Sequence, residues 1–259
     1  MLSSPRQLAL ALSTQPAASF ANFVTGRNAE PVAALHDLAH DQGGERFVYL
    51  WGAPGSGRAH LLHAVVREAS ARVRCAIRLS APVAADTLAA IDGETVVTLA
   101  GVERLDGGAQ VALFGLYNRI REAAGALVVA GDAPPARLPV RPDLATRLAW
   151  GLVYEVHGLS DDEKAEAMRA RAAELGFELP SEVQAYVLRH GRRDLPSLLG
   201  VVDLIDRHSL EAQRPVTLAL ARDVLRGVQS TMAPVGTPAQ GGTMAPAGTP
   251  AQGGAIAGD

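Results

Sequence analysis

The sequence predicts an α/β domain with a mostly parallel sheet covered by helices on both faces, followed by a small all-helical domain. Three observations carry this. Short apolar runs alternate with helix-spaced segments as far as Val156. The runs TVVTL and ALVVA show no polar alternation, as expected of strands buried on both faces. After Gly158 the pattern changes to helices only.

Each element follows from its own residues. Phe20–Asn28 (FANFVTGRN) leads into an apolar-periodic segment through His40, read as a helix. Asp41–Glu45 is a polar, Gly-containing break. Phe47–Trp51 (FVYLW) is the first strand; it ends in GAPGSGRA, and HLLHAVVREASARV continues in helical pattern. Ala76–Leu79 reads as a weak strand, Val83–Ile91 as a helix and Thr95–Leu99 as a buried strand. Val111, Phe114, Leu116, Tyr117 and Ile120 give Gln110–Ala124 a helical spacing. Ala126–Ala130 is a strand, Asp143–Leu148 a short helix and Leu152–Val156 a fifth strand.

In the helical part, Ser160-Asp-Asp-Glu163 is a capping box that opens a helix to about Leu175, which Gly176 ends. A second helix runs from Pro180 and Ser181 to His190, a third over Leu195–Leu210 and a fourth over Ala219–Val228. The expected domains are an arm at 1–17, the α/β domain at 18–158, the helical domain at 159–227 and a tail at 228–259. In the tail TMAPVGTPAQGG is followed at once by TMAPAGTPAQGG. Such a repeat cannot bury enough apolar surface to offset ordering entropy, so disorder is expected there.

Composition narrows the function classes. A net charge of −3 gives no global field for DNA or a membrane. No apolar run approaches the roughly 20 residues of a membrane span. The N-terminal apolar patch Leu8–Leu12 is too short for a secretory signal. A single cysteine, Cys75, excludes an internal disulfide framework and points to a reducing compartment. Of the 24 basic residues only Lys164 is a lysine, so any lysine chemistry must use it.

Gly52-Ala-Pro-Gly55-Ser56-Gly57-Arg58-Ala59 lies between a strand and a helix, where a phosphate-binding loop belongs. The standard pattern places Lys and then Ser or Thr where Arg58 and Ala59 stand. Arg keeps the charge on a wider planar head, and Ala59 offers no hydroxyl to Mg²⁺. The strand Thr95–Leu99 leads to Ala100 and Gly101, where a carboxylate is needed for the metal. Glu103 and Asp106 come later. This argues against Mg²⁺-dependent hydrolysis. An ordinary Gly-rich turn remains the alternative reading. His36 and His40 lie four apart with no accompanying Cys or carboxylate, so no metal site is expected there.

On these residues the chain resembles the AAA+ (P-loop) domain of the bacterial replication initiator DnaA, and within that family its shorter Hda-type relatives. The resemblance covers about 7–227. FANFVTGRN resembles the segment bordering the nucleotide base. YLWGAPGSGRAHLLHA resembles the phosphate loop, including His60. LFGLYNRI (Leu113–Ile120) resembles the helix after the Walker B strand. VVAGDAPP resembles the sensor 1 region, with Asp132 at its polar position. DLATRLAWGL resembles the arginine-finger segment, which places the finger on Arg147. RRDLPSLL resembles the sensor 2 helix, with Arg193 as the sensor arginine. Without the resemblance, Arg147 reads as a surface arginine and Arg193 as part of a solvated face.

Gln7-Leu8-Ala-Leu10-Ala-Leu12 resembles the short peptide that docks bacterial proteins on the DNA-polymerase sliding clamp. In extended form Leu8, Leu10 and Leu12 share one face, and Gln7 offers an amide at the rim. An amphipathic edge strand is the alternative. The resemblance implies a cytoplasmic regulator that acts on DNA only through the clamp. Its partners would be the clamp and DnaA, and a homo-oligomer stays open. Arg147 would be offered in trans to DnaA-bound ATP, with no ATPase of its own. ADP could be held by loop amides, Arg58 and Arg193; Mg²⁺ is not expected. The initiator's DNA-binding domain is not expected after the fourth helix. A clamp-binding adaptor without effect on the initiator, and an ATPase with atypical metal ligands, remain open.

Overall fold

The computed structural model describes residues 17–192 and 194–231. The clamp-type peptide with Gln7, Leu8, Leu10 and Leu12, the sensor arginine Arg193 and the repeats from 232 onward lie outside the described residues.

Five parallel strands form one sheet: β1 (Phe47–Trp51), β2 (Ala76–Ser80), β3 (Val96–Ala100), β4 (Ala126–Gly131) and β5 (Leu152–Glu155). Their spatial order is β2-β3-β4-β1-β5. Side chains alternate across β1, so Phe47 and Tyr49 enter one core layer and Val48 and Leu50 the other. On the first face pack α3 (Ala85–Ala89), α4 (Gly107–Glu122) and α5 (Pro142–Leu148), through Leu88, Leu113, Leu116, Ile120 and Leu144. On the other lie α1 (Ala29–His40) and α2 (Arg58–Ala71), through Leu35, Leu38, Leu61, Leu62 and Val65. This double cover explains why the central strands lack polar alternation.

Helices α4 and α3 differ in extent from the pattern-based expectation. Asp106 caps α4, its carboxylate accepting from the Ala109 N–H at 2.7 Å, so the helix begins at Gly107 rather than Gln110. Helix α3 is shorter than Val83–Ile91, because an Asp92 turn, with Glu94 N–H donating to its carboxylate at 3.0 Å, follows closely.

The second body contains α6 (Asp161–Glu174), α7 (Ser181–His190), α8 (Leu195–Ala212) and α9 (Leu218–Thr231) around its own core of Met168, Val183, Val187, Val202, Ile205 and Ala221. The Ser160/Glu163 capping box forms as read: Glu163 N–H donates to Ser160 Oγ at 3.2 Å, and Ser160 N–H donates to the Glu163 carboxylate at 2.7 Å. Gly176, at φ 86°, follows α6 in left-handed backbone. Helix α9 runs to Thr231, three residues past the end at Val228 read from the sequence. Gly227 does not end the helix, and Val224 and Leu225 anchor it from within the core.

Candidate nucleotide-type site between the sheet and the helical lid

The glycine-rich loop leaves the C-terminal end of β1, and α2 starts from it at Arg58. Gly55 and Gly57 adopt φ of +80° and +106°, open to glycine at little cost. Ser56 N–H donates to the Ala53 carbonyl at 3.1 Å, which closes the turn. The first N–H groups of α2 have no partner in their own helix and form the usual cradle for an anion. At the root of the loop, a Cβ on Gly52 would collide with the Val156 carbonyl. The loop thus sits flush against the exit of β5.

The segment ahead of α1 folds over this loop. Phe23 touches the Gly57 position, where an added Cβ would come within 2.8 Å of the ring. The rings of Phe23 and His60 are 5.3 Å apart, and His60 Nε2 lies 2.9 Å from the Ser19 carbonyl. Asn28, almost fully buried, donates to the His157 carbonyl at 2.9 Å and accepts from the His157 N–H at 2.8 Å. One side chain therefore ties the chain entering α1 to the chain leaving β5, 129 residues later.

A cavity of about 830 Å³ opens between this loop, the covering segment and the lid. Gly55, Ser56, Gly57, Arg58, Ala59, His60 and Asp132 line it, whereas Gly52 lies at the loop's root. From the lid come Lys164 and the start of α8 at Asp194–Pro196. Arg58 donates to the Gly131 carbonyl through Nη1 and to Asp132 Oδ1 at 2.8 Å through Nη2. Both acceptors stand at the end of β4, the strand beside β1. Beneath them the Tyr49 hydroxyl donates to the Ala133 carbonyl at 2.7 Å. Burial pushes the Tyr49 phenol up, nearby Glu103 and Asp132 push it further, and Arg58 pulls it back.

The side chains beside the loop do not form a ligand set for a divalent cation. Ala59, Ala100 and Gly101 offer no side-chain oxygen where a metal would need one. Asp132 is held by Arg58. The Asp194 carboxylate caps α8, accepting from Ser197 N–H at 2.9 Å, and pairs with Arg192 at 3.2 Å. Among the described residues no group of three or more His, Cys, Asp or Glu could hold a metal. Glu103 stands apart. Gly101, at φ 75°, and a 3-10 turn over Val102–Arg104 bring its carboxylate to the cavity, where Oε2 is buried without a hydrogen-bond partner. Sequence reading passed over Glu103 because it lies beyond the strand; its closeness to the strand end was the available signal. It also missed Asn28 and His157; Lys164, the one lysine, reaches the cavity from the lid with its Nζ 3.4 Å from Asp161 Oδ1.

Arg147 does not line this cavity. It sits in the last turn of α5, with its guanidinium 4.0 Å from the centroid of Trp150 and 5.3 Å from that of Phe114. Its Nη1 is buried without a partner. His40 Nε2 bonds Glu68 at 2.7 Å, which joins α1 to α2.

Comparison with solved structures places this arrangement. The chain is similar to domain III of the Thermotoga maritima replication initiation protein DnaA, with TM-score 0.66 and 20% identity over 82% of this chain and 97% of that one. AMPPCP-bound DnaA from Aquifex aeolicus matches at TM-score 0.64 and 20% identity, over 83% of this chain and 70% of that one. A RuvB mutant from Thermotoga maritima matches at TM-score 0.61 and 16% identity, over 82% and 73%. The sheet, the loop and the lid have an AAA+-type fold. Residues 161–225 match the family model described as "Hda, lid domain". The helical part is thus similar to the Hda lid, and the fold of the chain as a whole to that of DnaA domain III. Among the described residues no helix is long and apolar enough to cross a membrane.

Proposed function

We propose that this chain is a regulator of replication initiation that lowers the amount of ATP-bound DnaA. Gln7, Leu8, Leu10 and Leu12 dock it on the DNA-loaded sliding clamp, and so bring it to DNA in the cytoplasm without a DNA-binding surface of its own. Arg147 then enters the site of a neighbouring DnaA molecule and stabilises charge developing on the transferred phosphoryl group. DnaA-ATP becomes DnaA-ADP. The chain's own cavity holds a nucleoside diphosphate on the loop amides, Arg58 and Arg193, with Asp132 beside them, and performs no hydrolysis.

One observation carries this reading: Arg147 lies outside the cavity, while the positions that would serve hydrolysis inside it are Ala59, Ala100 and Gly101. A group that cannot act on the chain's own ligand is free to act on another molecule's. The test is DnaA-ATP turnover with DNA-loaded clamp. Wild type should stimulate it. Arg147→Ala should abolish stimulation and keep clamp binding, and a Leu8→Ala, Leu10→Ala double variant should lose both. Clamp binding with no effect on turnover would leave only an adaptor role.

The buried, unpartnered Glu103 oxygen favours a second reading, in which the chain hydrolyses nucleotide itself with Glu103 accepting a proton from water. ATP hydrolysis by the chain alone, lost in Glu103→Gln, would select it.

A further inference from the structure

Arg58 is the loop's only cation, and its charge is already committed. Nη2 donates to the Asp132 carboxylate at 2.8 Å, and Nη1 to the adjacent Gly131 carbonyl. The planar fork of arginine reaches both acceptors, one terminal nitrogen to each. The pair is lopsided. Only 14% of the Arg58 side chain is exposed, against 60% for Asp132. Tyr49 gives its hydroxyl proton to Ala133, so it does not donate it to Asp132. Arg58 thus faces a carboxylate at the corner of the cavity where a phosphate would have to be held.

We infer that Asp132 is a built-in competitor for phosphate: it occupies Arg58 until the terminal phosphate of a nucleoside diphosphate takes its place. This rests on the reading of the cavity as a nucleotide site and adds its regulation. Phosphate and carboxylate both suit the arginine fork, so one can replace the other without rebuilding the loop. Asp132 is exposed enough to return to water when released. The exchange keeps charge balanced at Arg58 in both states. An empty site is therefore not left with a buried unpaired cation, and the loop keeps its shape without ligand.

The experiment uses the full chain with a fluorescent ADP analogue at low salt, and thermal unfolding without nucleotide. Asp132→Asn should bind the analogue about tenfold more tightly than wild type, a difference of about 1.4 kcal/mol. Arg58→Ala should bind it more weakly than either. Without ligand, each single variant should melt lower than wild type, and the double variant no lower than the worse single, because both remove one interaction. Wild-type binding that Asp132→Asn leaves unchanged or weakens would overturn the competition while sparing the nucleotide reading. No binding by any variant would overturn both. Additive melting shifts would show that the two residues are not coupled and would also overturn the inference.

Discussion

The guanidinium of Arg147 lies flat enough on Trp150 to bring its carbon within 4.0 Å of the ring centroid. They lie three positions apart at the end of α5, and Trp150 is 57% exposed. An exposed indole next to a partly sheathed arginine is the composition of an interaction hot spot rather than of a core.

Trp150→Ala should therefore loosen Arg147 without unfolding the domain. A cation–π contact at an exposed site is worth about 0.5–1 kcal/mol, so the melting temperature should barely change. Stimulation of DnaA-ATP turnover should fall several-fold, and Trp150→Phe should retain most of it. Full stimulation by Trp150→Ala would show that Arg147 needs no platform.

The loop glycines should differ in their tolerance of a side chain. Gly55→Ala meets only a backbone preference, because open space surrounds the site; about 1–2 kcal/mol is expected. Gly57→Ala adds a collision with Phe23 to the same kind of backbone strain, and should cost more, about 1–3 kcal/mol from the strain alone. Denaturant unfolding of both variants tests the order.

Asp194 links lid stability to pH. Burial pushes its carboxyl up, but hydrogen bonds from Ser197 and the charge of Arg192 outweigh this and hold it below its ordinary value of 3.8. A depressed carboxylate contributes stability that is present above the ordinary value and is lost as pH falls through the folded one. Asp194→Ala should cost about 1 kcal/mol at neutral pH as a lost helix cap. The deficit relative to wild type should shrink under acid. Melting curves at neutral and acid pH should show this; a constant deficit would sink it.

Helix α9 sets where the chain can be cut. Ending it after Thr231 should leave the melting temperature unchanged. Ending it after Gly227 removes the last helical turn behind Val224 and Leu225 and should lower the melting temperature by several degrees. Equal melting of the two truncations would show that the last turn adds nothing.

Much of this was legible in the sequence because it depends on local rules. The strand runs, the glycine loop and the Ser160/Glu163 box each declare themselves within a few residues. Features that join distant segments were not. Arg58 meets Asp132 only because β1 lies beside β4, an order that no local pattern states. Asn28 clamps His157 across 129 residues. Glu103 reaches the cavity only because Gly101 turns left-handed after β3. The ends of α3 and α9 shifted for local reasons of turn and packing that periodicity averages away.

The lid's contribution to the cavity has a practical side. Lys164, on α6, holds the chain's only side-chain amine, and 14% of its side chain is exposed. An amine-selective reagent thus has one ε-amino target, at the mouth of the cavity. The extent of its modification, read by mass, would report lid opening and ligand entry without any engineered label.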